Sequence, residues 1–130
     1  MESYRPRVIL SAAISLDGKL ATRIGDSKLS SQRDKIRVHK LRSRFDAILV
    51  GKNTVEIDDP LLAVQGIKGK NPVRVILDSR ATIRASSKIL RTCSKIPTII
   101  AVSKMAKKKN LEKLKKFPVV VKVCGNNKIN

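Results

Sequence analysis

Five short runs of branched apolar residues limit what this chain can become. They lie at 7–14 (RVILSAAI), 46–50 (DAILV), 73–77 (VRVIL), 96–103 (IPTIIAVS) and 119–123 (VVVKV). Such runs are apolar on both faces, so they need cover on both sides, which is the condition of a strand in a parallel sheet. Two stretches between them read as helices, one starting at Ser31 and one over 105–116. This succession predicts an α/β domain with a largely parallel central sheet. In sheets of this kind ligands gather beyond the carboxyl ends of the strands, so the residues just after each run are the candidates for a site.

The richest of those ends is within 45–62 (FDAILVGKNTVEIDDPLL). Gly51 closes the run, where a missing side chain lets backbone approach a ligand, and exposed N–H groups at a helix start suit a phosphate. Residues 54–57 read as one or two helical turns, stopped by Asp58-Asp59-Pro60, since the residue before a proline is biased away from the α region. Two adjacent carboxylates stand out in a chain with ten acidic residues. Asp59 has two readings, as part of a pocket or as a cap on the turn before Pro60. The segment is not a P-loop: that motif needs glycine at 46 and Ser or Thr at 53, where this chain has Asp46 and Asn53. No G-x-G-x-x-G occurs.

The helix from Ser31 has a capping signal in Ser31 and Asp34 and places Val38, Leu41 and Phe45 on one face. Arg42 falls at the edge of that apolar stripe. His39 reads as a surface or structural residue, because no second metal-binding side chain is near it in sequence. After the run at 73–77, Asp78-Ser79-Arg80 reads equally as a turn and as a ligand-binding edge. In the later helix Leu111 and Leu114 face inward, and Lys107-Lys108-Lys109 forms its solvated side.

Composition narrows the classes. The length of 130 residues makes one domain with a real core. The net charge of +19 reads mainly as a lysine-rich solvated surface, with the remainder fitting an anionic partner, nucleic acid or phosphorylated small molecule. Tyr4, Phe45 and Phe117 are the only aromatics, which argues against base-stacking on single strands. Gly66-Ile67-Lys68-Gly69 is a G-x-x-G with basic flanks, the mark of one nucleic-acid-binding module, but no apolar helix comes after it. Cys93 and Cys124 form no C-x-x-C and read as reduced thiols of a cytoplasmic protein, with no metal site. No apolar run reaches the roughly 20 residues of a membrane helix. The apolar stretch 8–16 after two arginines resembles a signal peptide, but it ends in the turn Asp17-Gly18 with no convincing cleavage site.

Four blocks in order then carry a resemblance: SLDGKLAT (15–22), GDSKLSS (25–31), RVHKLRSRFDAILVGKNTVEIDDPLL (37–62) and NPVRVILDSR (71–80). Over 7–80 the chain resembles the riboflavin-pathway reductases. The archaeal single-function branch is the nearer type, since the zinc deaminase signature of the bifunctional bacterial members is missing. The resemblance implies a dihydrofolate-reductase-like three-layer α/β/α fold with a largely parallel central sheet. It implies hydride transfer from NADPH, with NADH as the alternative donor, to C1′ of a ribosylamino pyrimidinone 5′-phosphate in its open imine form. A homodimer is implied, with no specific nucleic-acid partner and no membrane.

By the same resemblance Ala13, Thr54, Asp58, Asp78, Ser79 and Arg80 hold the cofactor, and Ser27, Arg42 and Leu62 the substrate. For Arg42 the chemistry agrees, since a guanidinium at the edge of an apolar stripe can clamp a phosphate with two parallel bonds. No residue is assigned as proton donor. Some relatives carry tryptophan at the position of Leu29 and a basic residue at that of Gln65. The family's glycine-rich loop, which comes after a later strand, is not among these residues. The expectation is therefore a single reductase domain over 1–130 that is the front part of a longer one and inactive alone. A basic nucleic-acid-binding module and an inactive remnant are the alternatives.

Overall fold

The computed structural model describes residues 5–23 and 30–129 of the chain. It divides into two compact units, 1–31 and 32–130. The second unit holds α1 (Gln32–Arg42), β1 (Ala47–Gly51), α2 (Lys52–Asp58), β2 (Val73–Leu77), α3 (Lys88–Arg91), β3 (Thr98–Val102), α4 (Lys108–Leu114) and β4 (Val120–Val123). The strands form one sheet in the order β1-β2-β3-β4. Every neighbouring pair is parallel.

The register explains why the runs were continuous. Val50, Ile76, Ile100 and Val121 are aligned partners across the sheet and point to one face. That face is closed by Val55 of α2, Ile89 and Leu90 of α3, and Leu114 of α4, all buried, with Leu62, Ala81 and Ile83 from the loops. Burying such side chains contributes about 1.5–3 kcal/mol each. The opposite face carries the alternate residues, and there Leu49 is 60% and Val120 50% exposed.

The strand over 46–50 forms one residue later, at 47–51, and 96–103 shrinks to 98–102 because Pro97 has no N–H to give. Pro97 still accepts, taking the Arg74 amide at 2.9 Å. The helix expected from Ser31 to Phe45 stops at Arg42. Val38 and Leu41 are half-buried on it, and Phe45 lies beyond its end. The helix of 105–116 is regular only over 108–114, with Leu114 buried and Leu111 half-buried as the pattern required. Helix α3 was missed because four residues show no period, although Ser87, whose Oγ accepts the Leu90 amide, is a capping signal.

One expectation is overturned. Residues 7–14 form no strand, and Val8 and Leu10 are 82% and 92% exposed. A strand exists through its partner's hydrogen bonds, and no described residue pairs with this run. Within its own unit the run leads to the expected turn. There Gly18 takes φ +75°, its amide donates to the Ser15 carbonyl at 2.9 Å, and Lys19 N–H donates to Ser15 Oγ.

Candidate active site

Because all four strands are parallel, their carboxyl ends share one edge of the sheet. Gly51 and the start of α2 lie there, then Asp78 to Ala81, then Ser103 and Cys124. The ends are laced together. Ser103 donates from both N–H and Oγ to the Ser79 carbonyl at 3.0 and 2.9 Å, and Cys124 N–H donates to the Val102 carbonyl at 2.7 Å.

Helix α2 is held by Val55, which is fully buried, while Thr54 and Asp58 are exposed. They stand four residues apart, so they are neighbours on one side of the helix. Gly51 before them has an ordinary extended backbone, φ −78° and ψ 158°. A Cβ added to it would meet no atom of the described residues within 4 Å, apart from its chain neighbours. Neither backbone nor neighbours demand glycine there, and the space beside it is open.

The loop after β2 is shaped by Asp78, which is buried. Its Oδ2 accepts the amides of Thr82 and Ile83 at 2.6 and 2.7 Å, and its Oδ1 accepts the Thr82 hydroxyl at 3.3 Å. That bend carries Ala81 at φ +55°, a conformation rare for a residue with a side chain. Ser79 is half-buried and Arg80 exposed. So Asp78 turns its carboxylate into its own loop, and only Arg80 of the two residues after it is exposed.

Asp59 is settled by the geometry. In the left-handed region at φ +39°, it ends α2 and its Oδ1 accepts the Lys88 amide at 2.8 Å, at the start of α3. It therefore caps a helix 29 residues further on. From it a strap runs through Pro60, Leu61, Leu62 and Ala63 to Val64. Leu62 sits at φ +54° with its side chain in the core, not facing solvent.

Arg42, at the end of α1, meets this strap: Nη1 donates to the Ala63 carbonyl at 3.4 Å. Its Nε is buried with no hydrogen-bond partner among the described residues. No carboxylate among them is paired with it. Burial lowers its pKa from the ordinary arginine value. His39, one turn earlier, has Nδ1 at 3.2 Å from both the Ala63 carbonyl oxygen and the Gln65 amide. The ring nitrogen accepts from Gln65 when bare or donates to Ala63 when protonated, so in both forms His39 ties α1 to the strap.

Thr54, in the first turn of α2, and Asp78, Ser79 and Arg80 thus lie at the carboxyl ends of the adjoining strands β1 and β2, Asp58 is the last residue of α2, and Arg42 and Leu62 are joined through the strap. Ala13 is half-buried in the other unit. Ser27 and Leu29 lie outside the described residues. The G-x-x-G of 66–69 has a packing explanation. Gly66 adopts φ +72°, and a Cβ on Gly69 would come within 2.6 Å of Ser43 Cβ. At the amino ends of the strands, away from these residues, a cleft of about 510 Å³ is lined by Arg44, Asp46, Lys70 and Lys95 among others.

The same strand ends and strap occur in a chain with clear relatives. The RibD C-terminal domain family matches residues 6–130. The chain is 44% identical over 129 residues to the 2,5-diamino-6-ribosylamino-4(3H)-pyrimidinone 5′-phosphate reductase of Methanothermobacter thermautotrophicus, covering 97% of this chain and 58% of the relative. It is 40% identical over 131 residues to the Aquifex aeolicus protein of the same name, with the same coverage. The chain thus spans little more than half the length of these curated relatives. Among solved structures, the diaminohydroxyphosphoribosylaminopyrimidine deaminase/5-amino-6-(5-phosphoribosylamino)uracil reductase of Thermotoga maritima aligns with a TM-score of 0.65 at 29% identity, over 87% of this chain and 37% of that one. The fold is the dihydrofolate-reductase-like α/β class of these reductases.

Proposed function

The chain belongs to the RibD C-terminal domain family, and from that premise we propose that it serves the NADPH-dependent reduction of a ribosylamino pyrimidinone 5′-phosphate to its ribitylamino form. The observation that carries this reading is Arg42. A half-buried guanidinium with, among the described residues, one orphaned donor and no carboxylate partner is a costly arrangement for a bare protein. A phosphate oxygen would supply the missing acceptor and the missing charge together. Gly51 supports the cofactor half: open space beside a strand end, with no protein atom that needs it, suits a ligand passing close to backbone.

On this reading Thr54 and Asp58 bind the cofactor from the outer side of α2, and Ser79 and Arg80 do so from the next strand end. Asp78 acts on the cofactor indirectly, by fixing the bend that presents those two residues. Arg42 anchors the substrate's 5′-phosphate, with the strap that carries Leu62 beside it, and Ser27 stays in the proposal as a further substrate ligand. NADPH, when bound, supplies the hydride that reduces the imine carbon. The protein's part is to hold both ligands at the roughly 3–3.5 Å that hydride transfer needs. Ala13 stays in the proposal as the residue that passes the nicotinamide, and a homodimer in the cytoplasm as its setting. NADH remains the alternative donor. Nothing in the geometry favours the nucleic-acid reading, since both glycines of 66–69 are explained by backbone conformation and packing.

The test is turnover by the full-length protein with NADPH and the ribosylamino pyrimidinone phosphate, monitoring cofactor oxidation and the ribityl product by mass. Cofactor oxidation that depends on substrate, and is lost in Arg42→Met, is the expected result. Absence of product from a folded protein with both ligands present would reject the reading.

A further inference from the structure

Arg74 stands in the centre of the sheet, fully buried, on the face that otherwise carries Ile76, Ile100 and Val102. It has no ion-pair partner among the described residues. Yet its five N–H donors are matched by five acceptors. Nε donates to Thr98 Oγ1 at 3.0 Å, Nη1 to the Leu61 carbonyl at 3.1 Å and Thr92 Oγ1 at 2.8 Å, and Nη2 to the carbonyls of Ile89 at 2.9 Å and Ile96 at 3.2 Å. Both threonine hydroxyls are pre-oriented to accept. Thr92 gives its proton to the Lys88 carbonyl at 2.7 Å and Thr98 gives its own to the Ile96 carbonyl at 3.0 Å. Desolvation lowers the arginine's pKa, as expected for a cation surrounded by neutral oxygens.

A buried cation with no counter-charge is not the cheap way to fill a core. Its bonds show what the arrangement achieves. Three of the five go to α3 and the segment after it, one to Thr98 at the start of β3, and the fifth to Leu61 in the strap. The strap is fastened at the other end of α3 as well, where Asp59 caps Lys88. Two residues past Leu61, the Ala63 carbonyl receives Arg42 Nη1. The next amides are held too, Val64 N–H by Asn71 Oδ1 at 2.8 Å and Gln65 N–H by His39 Nδ1 at 3.2 Å.

We propose that Arg74 is a positioning residue for the substrate side of the site, setting the place of the strap over 59–64 and, through the Ala63 carbonyl, the place of the Arg42 guanidinium. It touches no ligand itself. Only arginine can do this here: a lysine has three donors at one point and leaves acceptors on α3 or the strap unmatched. The kinetic part rests on the reductase reading above; the geometric part does not.

The experiment uses Arg74→Lys in the full-length protein, with Thr92→Val as the milder variant should the first fail to fold. Hydrogen exchange reads the geometry. The amides of Val64 and Gln65 should exchange at least tenfold faster in Arg74→Lys, and about threefold faster in Thr92→Val, while those of β3 and β4 keep wild-type protection. Kinetics reads the consequence: substrate KM should rise about tenfold, with NADPH KM within twofold of wild type. Unchanged exchange at Val64 and Gln65 in the folded variant overturns the proposal. So does faster exchange spread evenly over the sheet, or an equal loss for both ligands, because each marks Arg74 as general core support. A wild-type protein with no reductase activity rejects the earlier reading and leaves the exchange result to decide this one.

Discussion

Arg42 holds a donor that nothing described in the protein accepts, and the proposed substrate site is built on that atom. If a phosphate fills the place, Arg42→Lys removes the planar fork and keeps the charge, so substrate KM should rise at least tenfold, about 1.4 kcal/mol or more, with NADPH affinity unchanged. Steady-state kinetics with each ligand varied separates the two, and equal losses would mean that the change damaged the fold. Asp78 shows the opposite economy, with every bond turned inward. Replacing it by alanine leaves the amide of buried Ile83, and that of exposed Thr82, without its acceptor, so Asp78→Ala should lower stability by about 1–3 kcal/mol, read from the urea midpoint. Arg42 was legible in the sequence because an arginine at the rim of an apolar stripe is conspicuous. Arg74 was as visible, a charge inside a run of branched apolar residues. Its meaning was not, since its acceptors come from positions 61 to 98 and only the folded chain gathers them.

At the scale of elements, two glycines make a controlled comparison. Gly51→Ala puts a methyl into open space on an ordinary backbone, so stability should change by less than about 0.5 kcal/mol while cofactor affinity falls. Gly69→Ala drives a Cβ to 2.6 Å from Ser43 Cβ and should cost about 1–3 kcal/mol without preference for either ligand. Thermal melts with and without NADPH read both, and a Gly51→Ala protein that binds NADPH normally would remove the strand end from the site. On α2, Thr54→Val with Asp58→Ala should weaken NADPH more than tenfold, or about 1.4 kcal/mol, by fluorescence titration. The strands β1 to β4 were legible because parallel pairing buries both faces and leaves an unbroken apolar signature. The same signature misled at 7–14, where apolarity supplied the composition of a strand but no described partner supplies its hydrogen bonds. Helix α3 was illegible for another reason: four residues show no period, and Asp59 and Arg74, which bond Lys88 at its start and Thr92 at its end, are both distant from it in sequence.

At the scale of the whole molecule, charge and the uncovered sheet face act against each other. The net charge of +19, with Arg44, Lys70 and Lys95 around the amino-end cleft, should give weak binding to any polyanion, independent of sequence and falling steeply with added salt. Heparin elution that is insensitive to salt, or tight selection of one RNA, would contradict this. Leu49 and Val120 meanwhile present apolar strand surface to water. Their consequence is colloidal. At low ionic strength the charge keeps molecules apart beyond the reach of those side chains, whereas near 0.15 M salt the screening length contracts to about 8 Å and contact becomes possible. The second virial coefficient of this chain in dilute solution should therefore pass from positive to negative as sodium chloride is raised, reversing the salting-in expected of a charged surface without an apolar face.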